Sequence, residues 1–376
     1  MAVAPSGLEN VIIGPTAISC VNGDAGELYY RGYDVRDLAR EASFEEVVWL
    51  LWHGDLPTAT ELARLRGELA RQRVIPDRTA ALIDTLARIP AVPMAALALA
   101  TGMLGVDDPA ARSVAPSDEL QSALLLVARY PTIIARYERR RHHLDPVEPP
   151  LDASTATAFL TMLRGAPPDP VESRALDVLL IVHADHELNA STFTARVIAS
   201  TLASVYAAVE GALGALSGPL HGGANERVMT MLEQIGTPEQ AEPFIYGLLA
   251  QKKRIMGFGH RVYKTEDPRA AILREVCLEL ARHRPHGRGW CDLAMRVAEA
   301  VWQARHLYPN VDFFSAPVQH MLGIPTDLFT PVFAMSRVAG WTAHVMEQHA
   351  HNRLIRPRAE YVGPPPRRFV PLAARG

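Results

Sequence analysis

Signals for helix starts recur along almost the whole 376-residue chain. The segment Ser43-Phe44-Glu45-Glu46 is a capping box that opens the apolar run VVWLLWHG, and Thr58 to Glu61 repeats the pattern. In such a box, the Ser or Thr and Glu side chains satisfy backbone N–H groups that the first helical turn leaves free. Apolar residues three and four apart follow, which is the helical period. The same spacing predicts helices around 79–88, 118–136, 155–164, 171–182, 192–213, 224–235, 239–251, 268–282, 291–305 and 330–348.

Only one stretch is typical of strands. TAISCVNGDAGELYYRG carries an Asn22-Gly23 turn signal between two short β-prone runs, which predicts a small N-terminal β-hairpin. The chain has no alternating strand and helix units, so a doubly wound or barrel fold is disfavoured. A repeat of fixed period, which a helical solenoid requires, is also missing from the sequence. We therefore expect a mainly α globular protein.

Composition excludes several classes of function. The net charge of −3 gives no general attraction to nucleic acid or to an anionic membrane. Arg136, Arg139, Arg140 and Arg141 form the nearest approach to a basic patch, and we interpret them as a solvated helix end. Three cysteines without paired spacing favour neither a disulfide framework nor a zinc ribbon. Together with an N-terminus that lacks a signal-peptide pattern, they predict a reducing, cytoplasmic location.

Two loop-rich segments suggest hinges between two lobes. They are SGPLHGG at 217–223 and GIPTDLFTP at 323–331. Clusters of Gly and Pro can absorb the backbone rotations that a hinge needs. The block between them holds the most unusual polar sequences of the chain, and we expect it to form an inserted lobe.

A histidine lies among glycines in the first hinge, in the segment Ser217-Gly218-Pro219-Leu220-His221-Gly222-Gly223. A helix is predicted to begin directly afterwards, and positive potential at a helix N-terminus opposes protonation of a histidine. A neutral imidazole can donate a hydrogen bond to a developing oxyanion. An isolated histidine of this kind is more often a surface residue, but the glycines imply close backbone approach to another group.

A second segment combines glycines, a histidine and cations. Its sequence is KKRIMGFGHRVYK, residues 252 to 264, and Arg269 follows five residues later. The Gly-Phe-Gly step lets backbone groups approach a flat ligand, and arginines suit phosphates or carboxylates. A solvated basic loop is the competing interpretation.

Two further segments place charge beside apolar residues. Asp312 precedes two phenylalanines in PNVDFFS, so partial desolvation would raise its pKa toward that of a general base. Asp312 could equally cap a helix. Arg337 lies inside the apolar stretch FAMSRVAGW, where a cation is costly unless it meets an anion. The cluster His183-Ala184-Asp185-His186-Glu187 could bind metal, substrate or other side chains.

Taken in order, these segments resemble the citrate synthase family, which includes 2-methylcitrate synthases. The resemblance covers nearly the whole chain and is carried by GPLHGGAN, MGFGHRVYKTEDPR, PNVDFFSAP and SRVAGWTAHVMEQ. It implies a two-domain helical fold, with a large domain at 1–222 and 327–376 and a small one at 223–326. It also implies active sites shared across a homodimer, a CoA thioester as substrate rather than a cofactor, and no metal.

The resemblance implies a role for each site residue. Asp312 would remove the thioester α-proton, His221 would hydrogen-bond the thioester oxygen, and His260 would polarise the ketone of oxaloacetate. The oxaloacetate carboxylates would be bound by His186, Arg269 and Arg337, with Arg356 supplied by the neighbouring subunit. The CoA-binding residues would be Met256, Gly257, Phe258, Gly259, Arg261, Lys264 and Asn310.

The sequence leaves four functions open. Citrate synthase would use acetyl-CoA, whereas 2-methylcitrate synthase would use propionyl-CoA, and the extra methyl group changes binding by only about 1–3 kcal/mol. A helical metal-dependent phosphohydrolase is suggested by His183, Asp185 and His186, although it would need further ligands on other helices. The fourth is a scaffold that binds CoA without turnover, against which the presence of His221, His260 and Asp312 argues.

Overall fold

The computed structural model describes residues 6–8, 11–284 and 287–375. Within these ranges the protein has sixteen α-helices and one three-stranded antiparallel sheet, so the predicted mainly α fold is confirmed. The strands are β1 (Ser19–Asn22), β2 (Glu27–Tyr30) and β3 (Tyr33–Asp34). The first helices are α1 (Val35–Glu41), α2 (Phe44–His53), α3 (Ala59–Gln72), α4 (Asp77–Leu86), α5 (Pro93–Asp107), α6 (Pro116–Arg141), α7 (Thr155–Arg164) and α8 (Pro170–His183). The remaining helices are α9 (Ala190–Ala199), α10 (Val205–Leu216), α11 (Ala224–Ile235), α12 (Ala241–Ala250), α13 (Pro268–His283), α14 (Arg288–Arg305), α15 (Val311–Met321) and α16 (Phe329–Ala350).

The predicted hairpin is present as β1 and β2. Ser19 pairs with Tyr30 at one end and Asn22 with Glu27 at the other. The connecting loop spans residues 23–26, which is wider than the Asn22-Gly23 signal implies, because Asn22 itself is the last residue of β1. Its side-chain oxygen accepts a hydrogen bond from the backbone N–H of Ala25 at 3.2 Å and closes the loop. The short β3 adds a third strand that was not predicted.

Both predicted capping boxes are confirmed. The hydroxyl of Ser43 accepts from the backbone N–H of Glu46, and the Glu46 carboxylate accepts from the backbone N–H of Ser43. Thr58 and Glu61 make the same reciprocal pair at the start of α3. Each pair satisfies two N–H groups of a helix end, so the local sequence alone specifies where these helices begin.

The predicted helix at 192–213 is wrong as a single element. The chain instead forms α9 and α10, with a break at 200–204. Leu202 has a φ of 61° there, and the hydroxyl of Ser204 accepts from the N–H of Ala207 to cap α10. The break contains neither Gly nor Pro, which is why helical periodicity continued across it.

Helix α16 forms the centre of the larger part of the core. It packs against α2, α6, α8, α9 and α10, and nearly all its residues are buried. A helix enclosed on every side has no polar face, and the stretch FAMSRVAGW shows this pattern. Arg337 is therefore buried by the architecture and does not lie on a solvated face.

The arginine run at the end of α6 is paired, which corrects its interpretation as a solvated helix end. Arg136 lies 2.7 Å from the carboxylate of Asp84, and Arg141 pairs with Asp327. Tertiary ion pairs therefore hold this end of α6 against two other segments.

Helices α11 to α15 pack largely against one another and contact the other helices mainly through α1, α8 and α16. The boundaries predicted for the two domains, 223–326 against the rest, stay a prediction. All three cysteines are free, with Cys277 and Cys291 buried. No helix among the described residues has the length and apolar character needed to cross a membrane.

Candidate active site

A cavity of about 180 Å³ opens between the α10–α11 loop, the loop ahead of α13, the start of α15 and the middle of α16. Most of the residues predicted to be catalytic or to bind carboxylates line this cavity, although the first and the last of them are more than 100 residues apart in the sequence. These residues are His186, His221, His260, Arg269, Asp312 and Arg337, and Asn310 of the predicted CoA set joins them.

His221 is held in one tautomer. Its Nε2 lies 3.2 Å from the backbone nitrogen of Ser191 and 2.8 Å from the hydroxyl of the same residue. A backbone N–H can only donate, so Nε2 must accept and the neutral ring carries its proton on Nδ1. Burial, with a smaller effect of Arg337, lowers the pKa of His221 to about 4. The predicted neutral imidazole is therefore present, but desolvation and Arg337 are its main causes.

The ring of His260 has the opposite tautomer. Its Nδ1 accepts from two backbone N–H groups, those of Val262 at 3.0 Å and Tyr263 at 3.1 Å. The proton of the neutral ring is consequently on Nε2. Burial and the nearby Arg269 cation lower the pKa of His260 to about 4. The two histidines thus provide two neutral hydrogen-bond donors to one cavity.

Asp312 is the second residue of α15, and the helix cap is Asn310 instead. The Asn310 side chain accepts from the backbone N–H of Asp312 at 3.1 Å. Burial raises the pKa of Asp312 to about 6, partly opposed by Arg269. The predicted upward shift is confirmed, and a carboxylate with this pKa can act as a general base near neutral pH.

Two buried arginines differ in how their charge is compensated. Arg269 forms a bidentate pair with Asp267, at 3.0 and 2.8 Å. Arg337 donates from Nε to the carbonyl of His183 and lies over the ring of Phe333, but no carboxylate pairs with it among the residues that the structure describes. Burial lowers the pKa of Arg337 to about 10. A buried cation without a paired anion favours an anionic ligand in this cavity.

His186 completes the histidine group. Its ring lies 5.3 Å from that of His260, and its Nε2 lies 3.2 Å from the hydroxyl of Tyr263. Burial and the Arg269 cation hold its pKa well below the usual range for histidine. His186 is therefore a third neutral group at this end of the cavity.

The predicted CoA loop lies beside the start of α15. Phe258 pairs with Pro309 in an isolated β-bridge, and Asn310 donates from its side chain to the carbonyl of Gly259 at 3.1 Å. Gly257 adopts a φ of 81°, and a Cβ there would collide with Phe313. The loop therefore needs glycine at this position, and the Asn310 side chain is engaged within the protein.

All the other residues predicted to bind CoA lie outside the cavity lining, as does Arg356. Met256 is half-buried, and Arg261 is exposed. Lys264 is exposed and forms an ion pair with Asp24 of the hairpin loop at 2.7 Å. Arg356 lies in the exposed segment 351–375 that follows α16.

The geometry does not favour the metal-dependent alternative. The described residues include no group of three or more His, Cys, Asp or Glu side chains arranged to bind a metal ion. The ring of His183 is buried against Phe333, and neither of its nitrogens has a hydrogen-bond partner in the described structure. Asp185 accepts from Ser19 and contacts His344. His183 and Asp185 are therefore built into the core, whereas His186 faces the cavity.

Two residues at the site were not singled out from the sequence. Ser191 sets the tautomer of His221, and Tyr263 packs against both His186 and His260. Tyr263 stood within the quoted loop, and its position three residues after His260 was its only signal. Ser191 lies 30 residues before His221, so no local pattern connects them.

Comparison with known proteins supports the same family. The family model described as citrate synthase, C-terminal domain, matches residues 7–358. The chain is 46% identical to citrate synthase 2 of Bacillus subtilis, over 99% of both chains. It is 43% identical to a 2-methylcitrate synthase of Shewanella oneidensis, over 98% of both.

The chain belongs to the citrate synthase family. Solved structures agree with this assignment: the citrate synthase of Pyrobaculum aerophilum superimposes with a TM-score of 0.89 at 40% identity, covering 98% of this chain and 95% of that one. A citrate synthase of Thermoplasma acidophilum, solved as a ternary complex with carboxymethyl coenzyme A and oxaloacetate, gives 0.91 at 35% identity, with 98% of both chains covered. This citrate synthase family member is thus an acyltransferase, and the predicted fold and family are confirmed.

Proposed function

We propose that the protein condenses acetyl-CoA with oxaloacetate and water to give citrate and free CoA. The observation that carries the proposal is that two neutral imidazoles of defined tautomer share a cavity with a carboxylate whose pKa is raised to about 6. A thioester α-proton is too weakly acidic for a carboxylate alone. A donor on the carbonyl oxygen is needed in the same step.

The first step makes the nucleophile. The Asp312 carboxylate takes a proton from the α-carbon of the acetyl group, and the electron pair of the broken C–H bond moves toward the thioester oxygen. The Nδ1–H group of His221 donates a hydrogen bond to that oxygen. Because His221 is neutral, it can stabilise the enolate without pairing with Asp312 and neutralising the base.

The second step forms the carbon–carbon bond. The nucleophilic carbon attacks the ketone carbon of oxaloacetate, and the ketone oxygen takes the Nε2 proton of His260. The proton that Asp312 took in the first step then passes through solvent to Nε2 of His260, which restores both groups. Water then adds to the thioester carbonyl, the C–S bond breaks, and CoA leaves with a proton. We propose that the two carboxylates are held by Arg337, Arg269 and His186. Arg337 supports this part of the proposal, since no carboxylate of the described residues pairs with it.

A homodimer is proposed as the functional unit. Helix α5 is apolar on all sides, yet Leu99 and Val106 are 53% and 70% exposed. Apolar side chains on an unpartnered face favour burial against another protein surface. The exposed segment 351–375 carries Arg356, which we propose to enter the site of a second copy as a further carboxylate ligand.

A 2-methylcitrate synthase activity is the second candidate, favoured by the 43% identity to a relative of that name. The two activities differ by one methylene in the acyl group, which a pocket discriminates by roughly 10- to 200-fold. The test is a thiol-release assay with oxaloacetate and each thioester, with mass analysis of the product. A higher kcat/KM for acetyl-CoA supports the proposal, whereas a higher value for propionyl-CoA supports the second candidate.

A further inference from the structure

We infer that the N-terminal hairpin, residues 19–30, is a positioning element that sets the spacing of His186 and His260. The inference rests on the proposed function, since that function assigns both histidines to oxaloacetate. No hairpin residue lines the cavity, so any effect on the reaction must pass through the residues that the hairpin contacts.

Strand β1 binds the chain on both sides of His186. The hydroxyl of Ser19 donates to the carboxylate of Asp185 at 2.5 Å and accepts from the backbone N–H of Glu187 at 2.9 Å. Ser19 and Asp185 are both buried, so solvent cannot replace these bonds easily. Glu187 has a φ of 50°, and the turn is thus held in a conformation that is uncommon for a residue other than glycine.

Strand β2 adds a second attachment to the same turn. The hydroxyl of Tyr30 donates to the carbonyl of Asp185 at 2.9 Å, and it lies 3.3 Å from the backbone nitrogen of that residue. The Tyr30 side chain is fully buried. The position of His186 therefore follows the position of β1 and β2.

The loop between the strands contacts the segment that holds His260. The backbone N–H of Lys264 donates to the carbonyl of Gly23 at 2.9 Å, and Asp24 pairs with the Lys264 side chain. A Cβ on Gly23 would overlap the carbonyl of Val262, so the two backbones approach as closely as glycine permits. Val262 is also one of the two residues whose N–H groups bind Nδ1 of His260.

The hairpin thus contacts the residues that hold both His186 and His260 in place. The two rings lie 5.3 Å apart, and the Tyr263 ring packs on both of them. A ligand that hydrogen-bonds to His186 and His260 together depends on this separation. A displacement of about 1 Å can cost roughly 100-fold in rate when reacting groups must be aligned.

Two substitutions test the two attachments separately. Ser19→Ala removes the bonds that flank His186, and Ser19→Thr is the conservative rescue because it keeps the hydroxyl. Gly23→Ala forces Val262 away from the hairpin. Gly67→Ala is its matched control, because Gly67 lies in α3 and a Cβ there meets only the flexible end of Arg71.

The expected result is a selective loss on the oxaloacetate side. We expect Ser19→Ala and Gly23→Ala to raise the KM for oxaloacetate by about tenfold while the KM for acyl-CoA stays within about twofold. Ser19→Thr and Gly67→Ala should match the wild type. The ¹³C resonance of bound oxaloacetate, labelled at its ketone carbon, should move toward its free position in the two impaired variants, because His260 polarises that carbonyl.

Two outcomes would overturn the inference. One is a KM for oxaloacetate in both Ser19→Ala and Gly23→Ala that equals the control values. The other is an equal rise in both KM values together with a lower Tm, which would indicate general loosening. If Gly23→Ala does not fold, the Ser19 pair decides. A wild-type protein that releases no CoA would instead contradict the proposed function, and the ¹³C measurement on bound oxaloacetate would still test the hairpin.

Discussion

The backbone N–H of Ser191 points at Nε2 of His221 across 3.2 Å and thereby leaves Nδ1 as the nitrogen that carries the imidazole proton. At His260 the arrangement is reversed, since Nδ1 accepts from the N–H groups of Val262 and Tyr263. The two histidines therefore donate from different nitrogens, and this difference can be tested by substitution.

We predict opposite preferences for amide replacements at the two histidines. An asparagine amide nitrogen falls near the position of a histidine Nδ1, whereas that of glutamine falls near Nε2. His221→Asn should therefore retain more activity than His221→Gln, and His260→Gln more than His260→Asn. Loss of an oxyanion donor lowers kcat by about 10²–10³-fold, so the better amide should recover part of that loss. Steady-state kcat for the four variants checks the tautomers; the same order at both positions would contradict them.

The pKa values predict an acid limb in the pH profile. Asp312 must be ionised to accept a proton, and burial raises its pKa to about 6. Since His221 and His260 have pKa values of about 4, they stay neutral across this range. We expect kcat/KM, which reports the ionisation of the free enzyme, to be constant above pH 7 and to fall about tenfold per pH unit below about pH 6. A limb near pH 4, or none between pH 5 and 7, would show that Asp312 is not the titrating base.

Replacing Asp312 should separate binding from turnover. We predict that Asp312→Asn binds oxaloacetate nearly as well as the wild type, because the carboxylate ligands are other residues. Its kcat should fall by about 10²–10⁴-fold, since proton transfer by a positioned base contributes that much. Calorimetric titration with oxaloacetate measures the binding, and the rate of thiol release measures kcat. A rate near that of the wild type would rule out Asp312 as the base.

Removing the charge of Arg337 should weaken oxaloacetate binding selectively. We expect Arg337→Leu to raise the KM for oxaloacetate by at least about 10-fold, because a charge-assisted hydrogen bond contributes roughly 1.5–3 kcal/mol. Arg136→Leu is the control. Arg136 is a paired arginine that lies near the end of α6, where its partner is Asp84. The control should leave the KM for oxaloacetate unchanged, even where the loss of the ion pair lowers stability. Equal KM values for oxaloacetate in the two variants would contradict the role of Arg337.

Mixed subunits test whether Arg356 acts across a dimer. Asp312→Asn and Arg356→Ala chains would each form impaired homodimers. In a heterodimer one site combines an intact Asp312 with an intact Arg356 from the other chain. Random reassembly of equal amounts makes about a quarter of all sites intact, so activity should reach about a quarter of the wild-type value and exceed the average of the two parents. Activity that only equals the parental average would place Arg356 in its own subunit's site or outside any site.

The sequence predicted most helices because their capping boxes and apolar spacing are local. Helix α5 was missed because it is apolar on all sides and has no amphipathic period. The break between α9 and α10 was missed because Leu202 adopts its positive φ without Gly or Pro nearby. Apolar periodicity arises when one face of a helix packs on the protein and the other meets solvent. It therefore cannot predict a helix that is apolar on all sides, or a helix break that depends on tertiary contacts.

His221, His260 and Asp312 could be singled out because each lies in a distinctive segment, and the structure brings them to one cavity, while their chemical roles stay a prediction. The tautomer of His221 could not be predicted, because it depends on Ser191 of α9, 30 residues earlier in the chain. Nor could the ion pair between Lys264 and Asp24, which depends on where the hairpin packs. Candidate residues therefore follow from local patterns, whereas the His221 tautomer and the Lys264–Asp24 pair depend on contacts distant in sequence.

The most direct test of the account is the thiol-release assay of the wild-type protein with oxaloacetate and acetyl-CoA or propionyl-CoA, with each product identified by mass. We predict stoichiometric CoA release that depends on oxaloacetate, citrate as the product with acetyl-CoA, and a higher kcat/KM for acetyl-CoA. Release of CoA without oxaloacetate, or no release with either thioester, would contradict it.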